Sequence, residues 1–354
     1  MEARDTIGAF GARGADRPLP SLEAPSPRYG EKLIKALLGA AAFLSVITTT
    51  AIVVSLLIPT FDFFTKDDIG LGEFLFGTNW APTFEPSSFG VLPILVGTLS
   101  TSLWGMLFAV PIGLASAIWL SEYASPRQRK LVKPVLEVLA GIPTVAIGIF
   151  GLVFLSPVIA EVLPFMVNVP PFSAGVAGLA IGLMIVPIIA SISDDAMRSV
   201  PSGLREAAYG LGATKMKVAT RVIFPAAISG IIASLVLAGS RAVGETMVVL
   251  LVAGASPNLT FDPGSSVLTM TAFIGQTATG DISTGSITYD TIFAVGSLLF
   301  IIKRAGVKRP GPHHRCERST RLFNQGRRRT GHLGWQKLRW PKSTHRCLSR
   351  VCSQ

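Results

Sequence analysis

Residues 205–252 read REAAYGLGATKMKVATRVIFPAAISGIIASLVLAGSRAVGETMVVLLV, a polar, glycine-containing turn that feeds straight into a long apolar segment. Arg241 and Glu245 are the only charges between Arg221 and Asp262. A lone arginine at the middle of a membrane helix costs at least about 2.5–3.5 kcal/mol on insertion scales, so charges at such depth mark transport pathways or compensated pairs. Four residues apart on one continuous helix, the two would stack on one face about 6 Å apart along the axis, each screening the other. Counted from Pro225, Arg241 would lie roughly 24 Å along that helix, deep in the membrane.

The composition around this stretch sets the class. Hydrophobic residues make up 49% of the 354 positions and charged residues 15%, with a mean hydropathy of +0.52. Such a chain is a helical membrane protein with room for about six spans of roughly 20 apolar residues each, and no sizeable soluble enzyme domain fits beside them. The net charge of +11 is misleading about partners. Residues 303–354 hold 15 Lys/Arg against the single acid Glu317, whereas residues 1–302 hold 17 against 20 Asp/Glu. All three cysteines and all four histidines also lie in that tail. The body therefore has no disulfide and no His or Cys metal site, and no cofactor or nucleic acid is expected there.

The loops assign a topology. Residues 1–30, rich in Arg, Pro and Gly, read as a disordered cytoplasmic leader and not a signal peptide, since the first apolar run begins only near Leu33. Spans are expected at about 33–58, 91–120, 135–160, 172–193, 226–252 and 287–302. The acidic 60–90 loop (Asp62, Asp67, Asp68, Glu73 and Glu85 against Lys66) falls outside, and Arg127, Arg129, Lys130 and Lys133 place the next loop inside. The 161–171 turn lacks Lys and Arg and lies outside. Arg198, Arg205, Lys215, Lys217 and Arg221 lie inside, and 253–286, with Asp262 and Asp281, outside again. Asp194 and Asp195 read as a solvated cap at a span's inner end, and Glu137, about one turn into the third span, as a partner for a basic loop residue.

The sixth span is short, because Lys303 and Arg304 follow an apolar run of only 12 residues from Thr291 to Ile302. Beyond it the chain has no helical or strand periodicity. A frameshift after Ile302 is the first reading, a basic tail on anionic lipid headgroups the second, and nucleic-acid binding the third.

At Glu206 the chain reads EAAYGLGATKMKVATRVIFP, and this resembles the cytoplasmic EAA loop of permease subunits of bacterial ABC importers: Glu-Ala-Ala, three residues, Gly, nine residues, Ile, any residue, Leu, Pro. Glu206, Ala207, Ala208, Gly212 and Pro225 match in place, while Val222 and Phe224 replace the Ile and Leu. Small alanines on a short helix, a glycine at the turn and a proline at the start of the next span suit docking into a partner's groove. No G-x-x-x-x-G-K-[ST] sequence occurs, so ATP would be bound and hydrolysed by a separate subunit.

The stretches FGTNWAP, FGVLPILVGTLSTSL, AVPIGLASAIWLSEYA, AGIPTVAIGIFG, MIVPIIASISDDAMRSVP and RAVGETM narrow the resemblance to phosphate importer permeases of the PstC type over most of residues 75–300. It implies an all-α, six-helix type I permease bundle, and truncation of the sixth span is the expectation that its short apolar run raises here. Implied partners are a similar second permease of PstA type, cytoplasmic ATPase subunits of PstB type, an extracytoplasmic phosphate-binding protein and membrane lipid. It also supports Arg241 and Glu245 as positions important to phosphate transport, and the expected roles are that Arg241 attracts phosphate in the path, a guanidinium being shaped for bidentate contact with phosphate oxygens, and that Glu245 holds Arg241 when phosphate is absent. The plainer reading of those two residues is a buried ion pair that fixes helix packing. The other functional readings are an ABC permease for a different oxyanion or small solute, and a secondary transporter or channel.

Overall fold

The computed structural model describes residues 29–66, 69–162, 170–280, 283 and 285–307. The leader before Tyr29 and the tail after Val307 lie outside the described residues. The chain divides into two units at Ser55/Leu56, within its first helix.

That helix, α1 (Tyr29–Lys66), carries no charge between Lys35 and Asp62, and its part in the first unit is exposed apart from the half-buried Val53. Thr48, Thr49 and Thr50 donate their hydroxyls to carbonyls four residues earlier, at 2.8–2.9 Å, so these three donors are satisfied within the helix.

In the second unit, the stretch of α1 from Leu56 is followed by α2 (Leu71–Phe76) and a two-stranded antiparallel ribbon, β1 (Trp80–Ala81) with β2 (Ser88–Phe89). Phe63 closes on Phe74 and Phe89 edge to face, at 5.8 and 5.5 Å. α3 (Leu92–Ile118) runs into a wider π turn at Trp119–Tyr123. α4 (Pro126–Ala140) starts on a capping box, in which Ser125 and Gln128 exchange hydrogen bonds. α5 (Thr144–Phe150), a π turn at 151–155 and α6 (Ser156–Val162) form one apolar rod. α7 (Ala174–Arg198) is the central helix. Then come α8 (Ser202–Gly210), α9 (Lys215–Val218), a π turn at 219–223, α10 (Phe224–Ala226), α11 (Ile228–Val243), α12 (Met247–Val252), α13 (Met270–Thr279) and α14 (Ile287–Val307).

α3 and α7 pack backbone to backbone because glycines face each other. A Cβ on Gly178 would lie 2.7 Å from the Trp104 Cβ, and one on Gly105 would lie 2.9 Å from the Gly178 carbonyl oxygen. Small residues at such a seam supply van der Waals contact where lipid leaves no hydrophobic drive between helices.

Among the described residues four helices are long and apolar enough to cross a membrane, five if the bent pair 215–226 and 228–243 is one span. The fold is all-α apart from the two-residue ribbon, as expected, but three elements differ from the sequence reading. The apolar rod of the third span starts at Thr144 instead of 135, since Pro143 brings no N–H and the chain breaks at 141–143. Glu137 is therefore on α4, exposed, and without an ion pair among the described residues. The 205–252 segment is not one helix. It bends by 72° at Ala227, just after Pro225, and breaks again at Gly244–Thr246, so the straight path to Arg241 starts at Ile228 and is about 20 Å long. Finally, α14 does not stop at Ile302. Lys and Arg end a hydropathy run but are good helix formers, and the helix continues through them to Val307.

Candidate functional site

The break at Gly244–Thr246 shapes the first site. α11 ends at Val243, α12 begins at Met247, and the carbonyl freed at Glu245 accepts a 2.6 Å hydrogen bond from the Thr271 hydroxyl of α13. A broken membrane helix with its free backbone groups met by a neighbour is an arrangement that lines a cavity in transporters. Here the cavity is about 450 Å³ and is lined by Ile188, Leu237, Ser240, Arg241, Gly244, Glu245 and Lys303.

The structure brings Arg241 and Glu245 to one cavity but not into contact. Because the helix ends between them, a four-residue spacing no longer stacks them, and they form no ion pair. The Arg241 guanidinium instead donates to the Met184 sulfur of α7 at 3.4 Å, while Glu245 is buried at 8% exposure. Neither has an ion pair among the described residues. Lys303, assigned from sequence to the tail, lines the same cavity; its only signal was its place directly after the last apolar run.

The second site is the 202–227 turn. α8 closes on a Schellman motif: Gly212 N–H donates to the Tyr209 carbonyl at 2.9 Å and Ala213 N–H to the Ala208 carbonyl at 3.1 Å. Gly212 has φ +78°, which a side chain disfavours, and this is the physical reason for glycine at that offset. Ala208, Ala213 and Phe224 rest on a small core of Ala117, Met197, Val200, Val218, Ile223, Ala227 and Ile231. Glu206, Ala207 and Pro225 are exposed, and Leu211 at the tip is 90% exposed. The turn is thus fastened at its base and bare on its outer face.

Residues 109–305, which contain both sites, match the family model described as "Binding-protein-dependent transport system inner membrane component". The chain belongs to this family of transport permeases. It is 34% identical to a probable ABC transporter permease, YqgH, of Bacillus subtilis, over 74% of this chain and 84% of the relative. It is 33% identical to the phosphate transport system permease PstC of Haemophilus influenzae, over 77% of this chain and 89% of that one. A solved bacterial ABC transporter that imports the acidic polysaccharide alginate superposes with a TM-score of 0.54 at 17% identity, covering 78% of this chain and 94% of its counterpart, a likeness of fold alone. The permease is an integral, multi-pass membrane protein and a transport subunit, not an enzyme.

Arg205, Arg129 and Lys133 of the permease each form an ion pair, and the sequence reading names none of the three. Arg205, just ahead of the Glu-Ala-Ala triplet, reaches Glu122 at 3.2 Å and donates to the Met197 carbonyl at 2.9 Å. Arg129 meets Asp194 at 2.5 Å, and Lys133 pairs with Asp195. Asp194 is fully buried, which corrects its reading as a solvated cap: α4 folds back over the end of α7 and covers it, while Asp195, one residue on, stays 58% exposed in its side chain. The clue lay in the loop assignments, which put the basic 127–133 segment and the acidic 194–195 pair on one side of the membrane.

Proposed function

We propose that this permease carries inorganic phosphate, as one of two permease subunits of an ATP-driven importer in the bacterial plasma membrane with its N-terminus in the cytoplasm. The observation that carries the reading is Arg241, a guanidinium free of any carboxylate among the described residues, lining a cavity at a helix break. Arg241 is exposed to an incoming anion, and its guanidinium fork matches the oxygens of phosphate. The PstC-named relatives, similar over most of the chain, give phosphate priority over other oxyanions.

In this scheme an extracytoplasmic phosphate-binding protein delivers the anion, and a second permease of PstA type covers the open side of the cavity. Two ATPase subunits of PstB type dock on the bare face of the 202–227 turn, with Glu206, Ala207, Ala208, Gly212 and Pro225 shaping the contact. Glu245 is the counter-charge available to Arg241 once phosphate has left, reached by movement of the Gly244–Thr246 break. The turn passes the ATPase's motion to α11 through the 72° bend.

The test is phosphate uptake by Arg241→Gln. Loss of uptake in a complex that still assembles with its ATPase supports the reading, and normal uptake refutes it. Competition that favours sulfate over phosphate in the wild type would reassign the substrate to another oxyanion.

A further inference from the structure

We propose, resting on the phosphate reading of this cavity, that Lys303 is a second cationic ligand for the transported anion. Lys303 lies on α14, far along the chain from Arg241, yet lines the same cavity beside Ser240, Arg241, Gly244 and Glu245. Its ammonium rests directly on Gly244, so that a Cβ there would collide with Nζ. Gly244 is also the first residue past α11, and it makes room where the helix opens. The helix carries on through Lys303, and the family match extends past it to residue 305.

The cavity lining thus holds two cations and one carboxylate, and none of the three has an ion-pair partner among the described residues. Arg241 is exposed and Lys303 half-buried, and positive charge in excess of its counter-charge is stabilised by an anion seated between the two cations. The two cations differ in what they offer. Arg241 presents a planar fork, and Lys303 a compact point charge on a flexible stem that can follow an anion as it moves. The shared chemistry is a tetrahedral phosphate, and it has two sources: the transported ion, or a lipid headgroup to which a lysine near a helix end snorkels. The contact with Gly244, inside the cavity of Arg241, favours the transported ion.

The experiment uses the complete importer in proteoliposomes and reads phosphate transported per ATP hydrolysed. Lys303→Met, which keeps the stem and removes the charge, should lower that ratio about tenfold or more at unchanged assembly, while Lys303→Arg should stay within about threefold of wild type. Wild-type transport by Lys303→Met overturns the inference. If that variant does not assemble, wild-type transport by Lys303→Gln overturns it instead. A loss that appears with phosphatidylglycerol and vanishes in phosphatidylcholine vesicles assigns the ammonium to an anionic headgroup and also overturns it. Arg241→Gln, run alongside, separates the levels: its loss with Lys303→Met normal sinks only the lysine's role, whereas its normal transport sinks the phosphate site itself.

Discussion

Arg205 and Glu122 form an ion pair at 3.2 Å that ties the residue ahead of the Glu-Ala-Ala triplet to the π turn closing α3. Glu122 keeps only 6% of its side chain exposed and Arg205 22%, so the pair is shielded from water but not sealed. Removing one partner of such a pair leaves the other charge buried and alone. We expect Arg205→Met to destabilise the protein by about 2–3 kcal/mol, below the range for a fully buried pair, read as a lower Tm in detergent. Adding Glu122→Gln to that variant should recover part of the loss, and additive losses would show that the two residues act separately.

Gly212 tests the turn without touching its packing. A Cβ there would meet nothing within 4 Å, so any effect of Gly212→Ala comes from its φ of +78°. The strain should be about 1–2 kcal/mol, with Gly212→Asn milder because asparagine tolerates that region. Weaker co-purification of the ATPase subunit with Gly212→Ala than with Gly212→Asn is the expected outcome. Equal binding by both would remove the turn's shape from the coupling scheme.

The neighbours Asp194 and Asp195 should differ sharply. Asp194→Ala strands the Arg129 guanidinium, itself 16% exposed, and should cost about 3–5 kcal/mol. Asp195→Ala breaks an exposed pair with Lys133 and should cost about 0–1 kcal/mol. Paired thermal melts at one detergent and salt concentration make the comparison, and similar losses for the two would contradict the burial difference.

Gly178→Leu should prevent the α3–α7 seam from closing. With Trp104 Cβ 2.7 Å from any added Cβ and Gly105 backbone on the same side, the helices must separate to admit a side chain. Overpacking costs about 1–3 kcal/mol where neighbours yield, and backbone yields least. We expect little protein to survive detergent extraction, whereas Gly203→Leu, at an open position, should extract normally.

Much of this was legible in the chain. The apolar runs are local and dense, so the membrane class and most helices follow from hydropathy, and the Glu-Ala-Ala offsets identify the turn because its glycine meets a backbone requirement at Gly212. Arg241 stood out because an arginine in an apolar run is costly wherever the helix ends. Its relation to Glu245 was misread, since spacing implies stacking only on an unbroken helix, and Gly244 ends this one. Lys303 was hidden for the opposite reason: its neighbours in sequence are a charged tail, while its neighbours in space are Arg241 and Gly244.

By itself the sequence determined the helical membrane class, the polar turn with its obligatory glycine and the presence of an arginine inside an apolar run, all of which depend on residues near one another along the chain. Only the tertiary structure decided that Arg129 covers a buried Asp194, that Arg205 anchors the turn to Glu122, and that residues 188, 241, 245 and 303 share one cavity. The physical reason is that these contacts depend on where helices bend and break. A bend of 72° at Ala227 and a gap at Gly244–Thr246 redirect every side chain that follows, and a one-dimensional pattern of hydropathy records neither.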